Sequence, residues 1–128
     1  RTEYRFMSGH ILVIEDDQPN QYLLQYLLEY NGYKVTIADD GVGGFERALK
    51  GGIDLVLLDI QLPKMDGYKV AKAIRSASDS SNVPIIAISS YAMPGDRERA
   101  LLVGCDGYIE KPIHPDRFIA EIRRILPM

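Results

Sequence analysis

Five short apolar runs divide the chain, at residues 11–14, 33–37, 53–58, 84–88 and 108–109. The third and fourth are almost unbroken, with Leu55-Val56-Leu57-Leu58 in one and Ile85-Ile86-Ala87-Ile88 in the other. A strand with one wet face alternates apolar and polar residues, whereas a run without alternation is covered on both sides, as in a parallel sheet. Between the runs lie segments with apolar residues at helical spacing. The first, 19–30, opens with Pro19 at a first-turn position and stops at Asn31-Gly32. Leu23, Leu24, Leu27 and Leu28 form its expected buried arc; at about 100° per residue Tyr30 falls inside that arc, Tyr26 at its margin and Tyr22 outside. Further helices are predicted over 42–49, 66–75, 96–103 and 115–126, and residues 76–82 read as a polar loop.

Strand and helix thus alternate five times. Such alternation with right-handed crossovers predicts an α/β fold, a doubly wound three-layer sandwich around a parallel sheet. No repeat or second domain interrupts it. Residues 10–128 form the expected domain, and residues 1–9 an N-terminal extension, either native or a remnant ahead of Met7.

Composition narrows the class without choosing a function. With 128 residues, 46% hydrophobic and 26% charged, the chain can bury a core of its own. A net charge of −3 speaks against a nucleic-acid or anionic-membrane surface. No apolar stretch approaches the roughly 18 residues of a membrane helix. The lone Cys105 has no internal disulfide partner, which suits a reducing cytoplasm and the role of small apolar filler.

The chemistry lies where the apolar runs end. All strands of a parallel sheet finish along one edge, and ligands bind there. The first run delivers Glu15, Asp16 and Asp17 to that edge, and the third delivers Asp59. The fourth brings Ser89 and Ser90, and the fifth Glu110, Lys111 and Pro112. Clustered carboxylates raise one another's pKa unless a cation sits among them. Mg²⁺, a hard ion that favours oxygen ligands and keeps several waters, fits such a set. A carboxylate attacking phosphorus gives an acyl phosphate, whose oxygens need a metal, an ammonium and a hydroxyl. Asp59, Mg²⁺, Lys111 and Ser89 fill those roles. Asp17 reads more plainly as a helix start, Gly67 as a turn or close helix approach, and His10 and His114 as surface residues.

Four segments together resemble the receiver domains of two-component response regulators, including the stand-alone single-domain ones. They are Ile-Leu-Val-Ile-Glu-Asp-Asp at 11–17, Leu-Asp-Ile-Gln-Leu-Pro-Lys-Met-Asp-Gly at 58–67, Ile-Ser-Ser at 88–90 and Gly-Tyr-Ile-Glu-Lys-Pro at 107–112. The resemblance implies a flavodoxin-like (βα)5 sheet of order 2-1-3-4-5. It implies that Asp59 accepts a phosphoryl group from the phosphohistidine of a sensor kinase or phosphotransfer protein. Asp16, Asp59 and the backbone carbonyl of Gln61 would bind Mg²⁺, with Glu15 acting through water. Ser89 would be the switch hydroxyl, Tyr108 the switch aromatic and Lys111 the phosphate-contacting cation, and the Lys111–Pro112 peptide would be cis. The altered surface would be the fourth helix, fifth strand and fifth helix. Such a domain catalyses only its own phosphorylation and slow dephosphorylation, so it is not classed with enzymes, and it would work in the cytoplasm through protein partners. Tyr22 beside Tyr26 would then offer a phosphodonor helix a docking patch, against the plainer reading of scattered surface tyrosines.

Glu15 stands where Asp is commoner in that family, Ser89 where Thr is commoner, and Ser90 where a small residue such as Ala is usual. Rival readings fit less well. A haloacid-dehalogenase-type phosphatase needs a second carboxylate two residues after its nucleophile, where Gln61 stands. A flavin binder needs a glycine- and hydroxyl-rich loop after the first strand, and three acids there would repel a phosphate. A degenerate receiver, acting unphosphorylated as a binding module, would be expected to lack some of the site residues.

Overall fold

The computed structural model describes residues 9–78, 80–90 and 93–127. The expected extension over 1–9 therefore lies outside the described residues except for Gly9. Five strands, β1 (His10–Ile14), β2 (Lys34–Ala38), β3 (Leu55–Asp59), β4 (Ile85–Ser89) and β5 (Gly107–Glu110), alternate with five helices. The helices are α1 (Gln18–Tyr30), α2 (Gly41–Leu49), α3 (Gly67–Ser76), α4 (Asp96–Leu102) and α5 (Pro115–Ile125). The sheet is wholly parallel in the order β2-β1-β3-β4-β5. Among the described residues no helix is long and apolar enough to cross a membrane.

The period of two along each strand sorts the core into two layers. Ile11, Val13, Leu55, Leu57, Ile86 and Ile88 face one side, against Leu24 and Leu28 of α1 and Phe118, Ile119 and Ile122 of α5. Leu12, Ile14, Val56, Leu58, Ile85 and Ala87 face the other, against Ala48 of α2, Val70, Ala71 and Ile74 of α3, and Ala100 of α4. Both faces are dry, which is why the central runs carry no polar alternation.

The strand ends differ from the expected ones in an informative way. The apolar runs stop at Leu58 and Ile88, but pairing continues through Asp59, opposite Ile88, and Ser89, opposite Glu110. The ladder then closes through Ile60 N–H to Ile88 O at 2.9 Å and Lys111 N–H to Ser89 O at 2.7 Å. Asp59 and Ser89 are thus the last paired residues of their strands. Hydrophobicity ends one residue before the hydrogen bonds do.

The first helix corrects one expectation. Tyr30, expected inside the buried arc, is 78% exposed, and Leu23 is 39% exposed. Polar residues at the two ends of α1 occupy the packed side: Gln21 binds Glu15 O at 2.6 Å, and Asn31 accepts a bond from Arg123 at 3.0 Å. The arc is therefore centred on Leu24 and Leu28 and turned away from Leu23 and Tyr30. Tyr22, Tyr26 and Tyr30 fall on one exposed side, where the last two rings stack with centroids 5.9 Å apart.

Aspartates cap three of the five helices, α1, α2 and α3. Asp17 accepts from Asn20 N–H at 3.1 Å, Asp40 from Gly43 N–H at 2.7 Å and Asp66 from Lys69 N–H at 3.0 Å. Asp66, read from sequence as the first residue of α3, is its cap. At the opposite edge Arg75, near the end of α3, binds Gly104 O at 2.9 Å, Ser81 O at 3.2 Å and the Asp106 carboxylate at 2.8 Å. Asp106 in turn accepts from Ile85 N–H at 2.9 Å, so one guanidinium fastens the approaches to both β4 and β5.

Gly67 opens α3 directly against the end of β3. A Cβ there would lie 2.6 Å from both the Asp59 carbonyl oxygen and the Ile60 Cα. Backbone cannot yield as a flexible side chain can. Gly67→Ala should therefore lose about 1–3 kcal/mol of stability by overpacking, read as a lower urea midpoint with an unchanged slope.

Candidate functional site

Glu15, Asp16, Asp59, Ser89 and Lys111 leave four neighbouring strands at one edge, as parallel pairing requires. Asp59 is only 4% exposed. Its Oδ1 accepts the Gln61 backbone N–H at 3.0 Å, and its Oδ2 lies 3.6 Å from Lys111 Nζ. The same ammonium donates to Glu15 Oε1 at 3.1 Å, and Glu15 Oε2 accepts from Asp17 N–H at 3.2 Å. Asp16 stands exposed at the rim, with a carboxylate oxygen within 4.8 Å of its counterparts on Glu15 and Asp59. Asp17 turns instead to its capping bond.

Three carboxylates therefore face one ammonium, and two of them are buried. Burial, followed by the hydrogen bond to Asp59 and its charge, pushes the Glu15 carboxyl up to about 7, although Lys111 pulls it down. A hard cation with oxygen ligands would relieve that crowding and hold both groups ionised. The donor set suits such an ion: carboxylate oxygens only, with an exposed acid at the mouth where bound water can remain.

The side chain of Gln61 has a part that sequence reasoning missed, having assigned only its backbone carbonyl. Its Nε2 donates to Ser89 Oγ at 3.1 Å, and its Oε1 accepts from Ser90 N–H at 2.9 Å. Gln21 was missed as well: besides Glu15 O it reaches the Asp39 carboxylate at 2.8 Å, fastening the acidic loop to α1. The available signal was a glutamine placed one turn before Leu24, on the packed side of α1.

Tyr108 is buried, with the Arg97 guanidinium 5.5 Å from its ring centroid. Its hydroxyl has no hydrogen-bond partner among the described residues. The Lys111–Pro112 peptide is cis. A groove of about 480 Å³ between α4, β5 and α5 is lined by Arg97, Tyr108, Lys111, Arg117, Phe118 and Glu121 among others. Three other residues stay apart from the site. His10, at the start of β1, pairs with Thr36 Oγ1 in the middle of β2 at 2.7 Å, and His114 is exposed beyond β5. Cys105 is buried, which raises its thiol to about 11 and leaves it unreactive.

A doubly wound five-stranded sheet carrying an acidic cluster, a hydroxyl and an ammonium at its carboxyl edge defines a phosphoryl-receiving signalling class. The chain belongs to the response regulator receiver domain family, whose model matches residues 11–123. It is similar to the polar-differentiation response regulator DivK of Brucella ovis, with 36% identity over 94% of this chain and 98% of that protein. Among solved structures it resembles the receiver domain of the sensor histidine kinase PA1611 of Pseudomonas aeruginosa, which has a magnesium ion coordinated in its active-site cleft. Identity is 33%, TM-score 0.85, and coverage 94% of this chain and 98% of that one. The receiver domain of Saccharomyces cerevisiae Ssk1, crystallised with the histidine phosphotransfer protein Ypd1, is represented by a match at 26% identity and TM-score 0.83. That match covers 92% of this chain and 88% of the other.

The raised Glu15 pKa fixes the sign of a pH effect. Between about 4.5 and about 7 the unfolded chain releases this proton and the folded chain retains it. In metal-free buffer this group's contribution to stability should therefore fall as pH rises through that window and level off above it. Denaturant midpoints of wild type minus Glu15→Gln, measured across the window, should show this decline. Mg²⁺ should flatten it.

Proposed function

We propose that Asp59 is the phosphoacceptor of this receiver and that Glu15, Asp16 and Asp59, with the backbone carbonyl of Gln61, form its Mg²⁺ site. The observation that carries the reading is the state of Asp59 itself. A buried carboxylate at the end of a strand is held through Oδ1 by a backbone N–H, while Oδ2 lies near the Lys111 ammonium. In the transfer, one carboxylate oxygen of Asp59 forms a bond to phosphorus as the bond from phosphorus to the donor's histidine nitrogen breaks. The released imidazole keeps the electron pair. Mg²⁺ supplies neutralisation of the developing charge on the phosphoryl oxygens. Lys111, 3.6 Å from Asp59 Oδ2, takes a second oxygen, and the Ser89 hydroxyl a third. The chain is thus a signalling domain whose chemistry is its own phosphorylation and slow dephosphorylation, centred on residues 10–128.

The donor is a histidine kinase or a histidine phosphotransfer protein, a reading supported by the likeness to a receiver crystallised with its phosphotransfer partner. The exposed stripe of Tyr22, Tyr26 and Tyr30 on α1, the helix that follows the acidic loop, is the docking surface we assign to it. The free, buried Cys105 suits a cytoplasmic setting.

The output is carried by α4, β5 and α5. Tyr108, expected to move inward on phosphorylation, is already buried here, beneath Arg97 and at the wall of the groove. In the receiver the two arrangements coexist, and the phosphoryl group biases them.

Two experiments bear on these assignments. Treatment with acetyl phosphate and Mg²⁺ should add the mass of one labile phosphoryl group to the wild type and nothing to Asp59→Asn; full labelling of the variant would sink the assignment. In amide NMR with beryllofluoride, a phosphoryl mimic, wild-type shifts should spread from Asp59 through Ser89 to Tyr108 and α5. In Ser89→Ala the shifts should remain near Asp59, and undiminished distant shifts would remove the hydroxyl from the relay.

A further inference from the structure

The Gln61 carboxamide stands between the acceptor loop and the switch loop. It leaves the loop after β3, two residues past Asp59, and binds the end of β4 at two consecutive residues. Its own backbone N–H holds Asp59 Oδ1 at 3.0 Å, so one residue grips both the acceptor and the segment that must respond to it. A phosphoryl group on Asp59 brings three strong acceptor oxygens. On the neighbouring strand end, the donors next in line are the Ser89 hydroxyl and the Ser90 N–H. Both already engage Gln61.

We propose that the Gln61 side chain is a latch that holds the end of β4 in its unphosphorylated position and must let go when Asp59 is phosphorylated. The competition is sharpest at Ser90. A single backbone N–H cannot serve the Gln61 Oε1 and a phosphoryl oxygen at full strength, and the charged acceptor wins because charge-assisted bonds are roughly twice as strong as neutral ones. At Ser89 the hydroxyl can donate and accept at once, so Nε2 does not block it chemically. It anchors the oxygen in place, and that anchor opposes any movement of Ser89 toward Asp59. Once released, the carboxamide is left beside the phosphoryl group with a free donor. Gln61 is therefore a positioning residue that acts through Ser89 and Ser90. It sets how far the chain favours the resting arrangement before any donor arrives.

The inference rests on Asp59 as the acceptor, and its test separates the two. Gln61→Met keeps the length and apolar stem and removes both hydrogen bonds; Gln61→Ala removes the stem too and guards against a packing artefact of the longer side chain. In protein without Mg²⁺ or a phosphodonor, Ser90 amide hydrogen exchange should quicken by about 3–10-fold in both variants, the scale of one neutral hydrogen bond. In the presence of Mg²⁺, NMR titration with beryllofluoride should show binding tighter by a similar factor, because the mimic no longer displaces the latch. Unchanged Ser90 exchange would overturn the proposal. So would faster exchange with weaker beryllofluoride binding, which would make Gln61 a support for the loaded site. Failure of the wild type to bind beryllofluoride at Asp59 would overturn the acceptor reading, and the latch with it.

Discussion

Two carboxylates buried against a single ammonium, at the end of an otherwise dry sheet, form the constraint on which the rest of this molecule turns. Lys111 reaches Glu15 at 3.1 Å and Asp59 at 3.6 Å, and no other cation contacts either of them among the described residues. Holding that trio in place requires the ends of β1, β3 and β5 to be fixed relative to one another. The sheet achieves this with continuous parallel ladders and two apolar layers, and its central strands β3 and β4 carry no polar side chain before their last rung. The surplus negative charge that remains is what prepares the edge for a cation and, through it, for an anionic phosphoryl group. An acidic site without that cation would repel the group it is meant to receive.

Seen from the sequence, the order of elements and the carboxyl-edge cluster were legible because both rest on strong local signals. Unbroken apolar runs mark strands covered on two sides, and the residues that follow them must share an edge. What escaped lies in side-chain geometry. The exact ends of β3 and β4 were one residue off because Asp59 and Ser89 pair as strand while carrying polar side chains. The packed side of α1 was misjudged because Gln21 and Asn31, polar by composition, are drawn inward by specific hydrogen bonds that no periodicity reports. Gln61 showed the same limit. The family resemblance assigned a role only to its backbone carbonyl, and the reach of its side chain to β4 depends on two loops meeting in space.

Tyr108 lies between the site and the surface groove that it lines with Lys111. It is the second residue of β5, three before Lys111, and its ring forms part of the groove between α4 and α5. The aromatic body is well packed, but its buried hydroxyl finds no partner among the described residues, a costly arrangement for a polar group. Arg97 compensates at the ring face, where a guanidinium is attracted to the aromatic quadrupole. Packing thus favours burial of the ring, while its polar hydroxyl gains nothing from being buried.

At the other edge, the Arg75 guanidinium grips the carbonyls of Ser81 and Gly104 and, through Asp106, the first amide of β4. β4 is therefore riveted at its amino end, and at its carboxyl end Ser89 meets the Gln61 carboxamide. A displacement begun at Ser89 cannot slide β4 along its length, because the strand is anchored at Ile85, its first residue. The motion left to it is a small tilt of the β4 tip about a fixed heel, beside the ends of β3 and β5 that Lys111 ties together. A tilt magnifies movement with distance from its pivot, so any travel is greatest at Ser89, the last paired residue of β4.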